Sequence, residues 1–190
     1  MKLTKVLITL TFIFFLAMNS RGQLPMTKTV SGQLSTVESG MLQVPPKDRY
    51  TRVADSLDKN LLKNKNDTIS LFYRSLIYYL YNQMLAQPYQ RTKGTLENLT
   101  KAKDLIERAI ENGMKDFRVK QLRAQIYCEL CYRFTGDESW MFNKTQSDSR
   151  KQIFNSYKEK ANRYLDELSE LDKPNAYAYS KRKVSYVYKL

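Results

Sequence analysis

The sequence predicts an all-α protein: antiparallel helical hairpins stacked into a short solenoid of about three helix pairs. Three observations carry this expectation. Asp67 to Pro88 is a helix-length apolar run with no Gly and no internal Pro. The segments around it repeat apolar residues at three- and four-residue steps. No stretch shows a convincing run of strand alternation.

Asp67 is a good N-cap and Pro88 forbids continuation. At about 100° per residue, Ile69, Tyr73, Leu76, Ile77, Leu80 and Met84 fill one broad face. Leu71, Phe72, Tyr78, Tyr79 and Leu85 fall on the other sides. A helix that is apolar nearly all round is buried, with neighbours on more than one flank. Arg74 and Gln83 are too polar for a membrane span. The sequence therefore predicts the central helix of a soluble stack.

In chain order, residues 1–22 read as a secretory leader. Lys2 and Lys5 give a positive start, Val6 to Met18 an apolar stretch, and Ser20 and Gly22 a small-residue cut site before Gln23. That stretch is shorter than the roughly 20 residues that a bilayer requires, and no transmembrane segment is expected after it. Residues 23–46, ending in Pro45-Pro46, read as an extended linker or a strap across the helices. The helical domain then runs over 47–190. Its first helix spans Lys47 to about Lys65, with Tyr50, Val53, Leu57 and Leu61 in step. After the central helix, Thr95 caps a helix to Asn112 that Gly113 stops. Phe117 to Phe134 is the fourth, and Glu138 to Asp148 an irregular insertion carrying Trp140, Met141 and Phe142. Ser149 to Leu171 is the fifth. A sixth runs from Pro174 to the end, with Tyr177, Val184 and Tyr188 on its packing face.

Leu99 to Met114, LTKAKDLIERAIENGM, resembles the second helix of a tetratricopeptide repeat. Ala102, Ile106 and Ala109 stand in that pattern's small–large–small positions, and Gly113-Met114 supplies the turn. Small residues at two points let the paired helix dock close to the backbone. Tyr157 to Pro174 is similar to a second copy, with Ala161, Leu165 and Leu168, and Pro174 near the closing proline. The two copies lie 59 residues apart (102 to 161), against a usual period of ~34. Long helices and the Trp140 insertion would take up the difference. The resemblance implies a scaffold or adaptor that holds a partner in a groove lined by the first helix of each pair. On that basis Arg74, Tyr78, Asn82, Gln121, Arg123 and Gln125 are the candidate groove residues.

Composition argues against catalysis. The chain has no His, which removes the commonest general base and metal ligand. Glu107, Glu111, Glu167 and Glu170 fall where solvated helix faces would put them, and six glycines form no phosphate loop. Cys128 and Cys131 are the only cysteines, so a zinc site lacks ligands. Their CxxC lies in mid-helix, where a packing seam or a strained local bridge are the alternatives. No cofactor and no metal are expected. Three Asn-x-Thr acceptor patterns, at Asn66, Asn98 and Asn143, are assigned no function.

Charge narrows the partners. The full chain carries 32 basic and 19 acidic residues, +13; without the leader's Lys2, Lys5 and Arg21 it keeps 29 against 19, or +10. Such a surface attracts acidic proteins and anionic polymers. Nucleic acid is not expected, because the chain shows no recognisable nucleic-acid motif. The expected function is non-catalytic: an exported, tetratricopeptide-like scaffold in a bacterial-type envelope, an accessory subunit of a secretion or other envelope assembly. The alternatives are a binder of anionic glycans or peptides, or an immunity protein against a secreted toxin. The sixth helix ends with aromatics on two sides. Tyr179, Arg182, Lys183 and Tyr186 are therefore expected to form a second partner or self-association surface.

Overall fold

The computed structural model describes residues 24–37, 47–85, 94–135 and 141–188. Residues 1–23, where a leader is expected, 38–46, 86–93, 136–140 with Trp140, and 189–190 lie outside the described residues. Within them the chain is mostly helical, with one two-stranded sheet. Strands β1 (Met26–Val30) and β2 (Gln33–Val37) precede helices α1 (Lys47–Lys63), α2 (Thr68–Leu85), α3 (Thr95–Glu111), α4 (Phe117–Phe134) and α5 (Lys144–Leu171). A 3-10 turn (Lys173–Asn175) leads into the short α6 (Ala176–Lys181). No helix among the described residues is long and apolar enough to cross a membrane.

The helix boundaries follow local chemistry. α3 ends in a glycine-terminated turn: Gly113 sits at φ 90°, Met114 N–H bonds Ala109 O at 3.0 Å and Gly113 N–H bonds Ile110 O at 2.9 Å. This satisfies carbonyls that the helix end would leave open. At its start Gly94, in the left-handed region, holds the cap position and Thr95 is the first, buried residue, so Thr95 does not cap. α5 begins at Lys144, not at Ser149. Asn143 accepts from Gln146 N–H, and the Gln146 side chain accepts from Asn143 N–H. That reciprocal cap brings the last five residues of the expected insertion, 144–148, into the helix.

Antiparallel pairing is read from side-chain contacts. Thr51 meets Tyr81 while Asp58 meets Arg74, so α1 and α2 run in opposite directions. Arg123 meets Glu167 and Tyr127 meets Tyr164, while Phe134 meets Tyr157, which opposes α4 and α5. The tightest pairs are α2 with α3 and α4 with α5, and α3 also lies along α4.

The organising helix is α4. Val119, Leu122, Ile126 and Leu130 enter one core with α1, α2 and α3. Ala124, Tyr127, Cys131 and Phe134 enter a second core with α5, α6 and the last described residues. α2 does have neighbours on two flanks, but Ile69, expected on its buried face, is 55% exposed.

Two larger expectations are overturned as well. Residues 26–37 form a β-hairpin, so the chain is not purely α. Ser31 (φ 48°) and Gly32 (φ 74°) make its two-residue turn, and both φ values are positive, as the right-handed twist of a tight hairpin favours. The sixth helix stops at Lys181 instead of running to the end. Residues 184–188 continue without helix along α5. There Asn162 clasps both Val184 backbone groups (Val184 N–H to Oδ1 2.8 Å; Nδ2 to Val184 O 3.2 Å). The Lys158 ammonium donates to Ser185 O and Tyr186 O, capturing carbonyls that a helix would have used internally. Tyr177, expected on the packing face, is 73% exposed, whereas Val184 and Tyr188 are buried.

Candidate functional site

The candidate groove residues do not converge on one groove. They divide between two sides of α4, because residues two apart on a helix point about 200° from one another. Gln121 and Gln125 face one side; Arg123 and Tyr127 face the other.

On the first side lies the hairpin. Arg118, Gln121 and Gln125 form a stripe at i, i+3 and i+7 that binds it. Leu34 N–H donates to Gln125 Oε1 at 2.8 Å, and Gln125 Nε2 donates to Leu34 O at 3.1 Å. One carboxamide thus pairs with a strand residue as a neighbouring strand would. Gln121 accepts from Thr29 Oγ1 at 2.9 Å and donates to Gly32 O at 3.3 Å. Arg118 Nη1 reaches Thr27 Oγ1 at 3.1 Å while the same guanidinium pairs with Asp116, which holds that carboxyl below the usual range. From α2, Tyr79 OH lies 3.5 Å from Gln125 Nε2.

Tyr179 closes this seat from α6. It is fully buried: its hydroxyl donates to Asp172 Oδ2 at 2.8 Å and accepts from Gln121 Nε2 at 3.3 Å. Its ring lies against Gly32. Arg182 Nη1 lies 3.5 Å from Gly32 O. Tyr179 therefore faces the chain's own hairpin and not an outer surface, while Arg182 is half-buried beside it. Lys183 pairs with Asp166, and Tyr186 is partly exposed beside Phe154 with a ring separation of 6.0 Å. Burial pushes the phenols of Tyr79 and Tyr179 up to about 12.

On the opposite side, α3 stands between two open cavities. One, about 260 Å³, is lined by Asp58, Leu61, Arg74, Tyr78, Lys101 and neighbours on α3. Arg74 grips Asp58 with two hydrogen bonds of 2.7 and 3.0 Å and stacks over Tyr78 at 4.2 Å. The second cavity, about 480 Å³, lies over α3, α4 and α5 and includes Glu107, Tyr127, Lys160, Arg163 and Tyr164. Asp104 and Arg108 line both. Arg123 lies over Tyr164 at 3.7 Å and pairs with Glu167 at 3.2 Å. Its Nε and Glu107 Oε1 are buried without a hydrogen-bond partner. Burial, then the nearby Glu107 carboxylate, raises the Tyr127 phenol well above its ordinary value.

Asn82 belongs to neither set. It is buried between α2 and α4, donating to Glu129 Oε1 at 3.1 Å. Cys128 and Cys131 lie within α4 as free thiols. Burial pushes them up to about 11 and about 12, so the reactive thiolate is disfavoured at neutral pH. Among the described residues no group of three or more His, Cys, Asp or Glu is placed to hold a metal ion.

The residues that sequence reasoning missed are Tyr127, Tyr164, Lys160 and Arg163, which line the larger cavity. Helical spacing alone signals them: Lys160, Arg163 and Tyr164 share one face of α5. Set beside known proteins, the chain matches no protein-family model, no curated protein and no solved structure.

Proposed function

We propose that the protein is a non-catalytic scaffold that holds another protein along the exposed side of α3. The helix pairs α2–α3 and α4–α5 are read as tetratricopeptide-like, with an exported, envelope-associated role. One observation carries this reading: two cavities flank one ridge, share Asp104 and Arg108, and are lined by tyrosines and long cationic side chains. Interfaces are rich in Tyr and Arg, which give large contact area with a polar tip. Six cations (Arg74, Lys101, Lys103, Arg108, Lys160, Arg163) against four acids (Asp58, Asp104, Glu107, Glu111) favour an acidic partner surface.

The test is capture from an envelope extract of the source cells on immobilised protein. Two variants are run in parallel: Tyr78→Ala with Lys101→Glu, and Lys160→Glu with Arg163→Glu. The expected result is one stoichiometric partner that survives moderate salt and is lost from both variants. Equal capture by wild type and both variants would overturn the ridge assignment. Retention on an anionic polymer that disappears at moderate salt, with no protein partner, would favour a glycan-type ligand.

A further inference from the structure

We propose that the hairpin seat on α4 is an exchangeable site and that its second occupant is the hairpin of another copy of this chain. The swapped unit is residues 24–37; the receiving surface is Gln121, Gln125, Tyr179 and Arg182.

Four observations carry the proposal. First, every hydrogen bond described above between hairpin and seat joins residues at least 89 positions apart. Strand β2 packs on α4, far from it in the chain. Nothing in that geometry distinguishes its own hairpin from an identical one. Second, recognition is directed at backbone and turn: Leu34 N–H, Leu34 O and Gly32 O take four of the contacts. Third, among the described side chains of the hairpin, Leu34 alone is a member of a hydrophobic core. Releasing the hairpin withdraws that one side chain from its core packing. The vacated carboxamides are polar and accept water. Fourth, nine residues, 38–46, connect the hairpin to α1 and end in Pro45-Pro46. Nine residues extend to about 30 Å, enough to reach a neighbouring molecule.

The exchange is independent of the α3 ridge, because the seat lies on the opposite face of α4. Intramolecular docking competes at an effective concentration of about millimolar for a short linker. The swapped form therefore gains on the closed one as protein concentration approaches that range.

The experiment is complementation between two full-length variants, each unable to close on itself. Gly32→Val damages the hairpin turn, and Gln121→Ala with Gln125→Ala damages the seat. Helical circular dichroism checks that both remain folded. Analytical ultracentrifugation is then run on each alone and on a 1:1 mixture at a few hundred micromolar. The expected result is two monomers that form a heterodimer on mixing, with an intact hairpin in an intact seat. Should the seat variant fail to fold, a labelled Leu24–Val37 peptide is titrated onto the Gly32→Val chain. Saturable binding is expected, weakened at least tenfold when the peptide itself carries Gly32→Val. A monomeric mixture together with an unbound peptide would show a seat reserved for its own hairpin and overturn the proposal. So would a scrambled peptide binding as well as the native one, which points to a foreign extended ligand.

Discussion

Gly32→Ala tests the hairpin seat at a single atom. The glycine sits at φ 74°, and a Cβ there would lie 2.7 Å from Tyr179 Cε1 and 2.9 Å from Cζ. Contacts that short force movement. Tyr179 cannot swing aside cheaply, since its ring is fully buried and its hydroxyl is held by Asp172 and Gln121. The left-handed backbone costs a non-glycine residue about 1–2 kcal/mol, and overpacking adds about 1–3 kcal/mol. The hairpin can instead lift away, giving up Leu34 burial worth about 1.5–3 kcal/mol and hydrogen bonds worth about 1 kcal/mol each. The smaller route, strain plus overpacking, sets the loss, so about 2–5 kcal/mol is expected. In a chain of this size that lowers Tm by about 4–20 °C. Urea unfolding gives the energy, and hydrogen exchange at the Leu34 amide shows which route is taken. Gly32→Asn separates the two causes, because Asn tolerates the backbone angle but keeps the Cβ. Stability within 0.5 kcal/mol of wild type, with the Leu34 amide still protected, would refute the reasoning.

Ala109→Leu places three extra carbons in a fully buried contact on α3. It should cost about 1–3 kcal/mol by urea unfolding, and an unchanged midpoint would argue against close helix approach there. Ser75→Ala removes the buried 2.7 Å bond from Ser75 Oγ to Ala102 O, with about 1 kcal/mol expected from chemical unfolding. Alkaline pH should destabilise the fold. Cys128, Cys131, Tyr79 and Tyr179 ionise later in the folded chain than in the unfolded one. Their contribution is therefore complete below the unfolded values of about 8.5 for Cys and 10 for Tyr, and is lost as pH rises towards about 11 and 12. Thiolate absorbance at 240 nm in the native protein should lag behind that in denaturant; coincident curves would contradict the burial. Gln125→Leu keeps the volume but leaves Leu34 N–H and O unpaired. Faster exchange at Leu34 is expected, with the helical signal of α1 to α5 unchanged.

The helical part of the fold was legible because its signals are local. α4 spans Phe117–Phe134 as its sequence predicts, and α3 ends one residue before the predicted Asn112, since a glycine stop needs no tertiary help. The hairpin was not legible from alternation. The face that carries Thr27, Thr29, Leu34 and Thr36 holds one large apolar residue, with only Leu34 and Thr36 buried, and it is held by carboxamides distant in sequence. Ser31-Gly32 between β-branched runs was the available signal. The sixth helix was overextended because periodicity beyond Lys181 could not register Asn162 and Lys158 waiting on α5 to take its carbonyls. The candidate site split for a related reason. Gln121, Arg123 and Gln125 look like one polar group in the sequence, yet a two-residue step sends them to opposite faces of α4.

The clasp of Gln125 on Leu34 bears on how this chain can diverge. A carboxamide that reads only N–H and C=O is indifferent to the side chain of the residue it holds. Substitutions on the outer face of the hairpin, at Met26, Lys28 or Gln33, should accumulate freely, whereas insertions and deletions should not. One residue added between Gly32 and Leu34 would turn every inward side chain outward and carry the clasped amide past Gln125. Related chains that keep this seat should therefore conserve the spacing from turn to clasp more strictly than the letters between them.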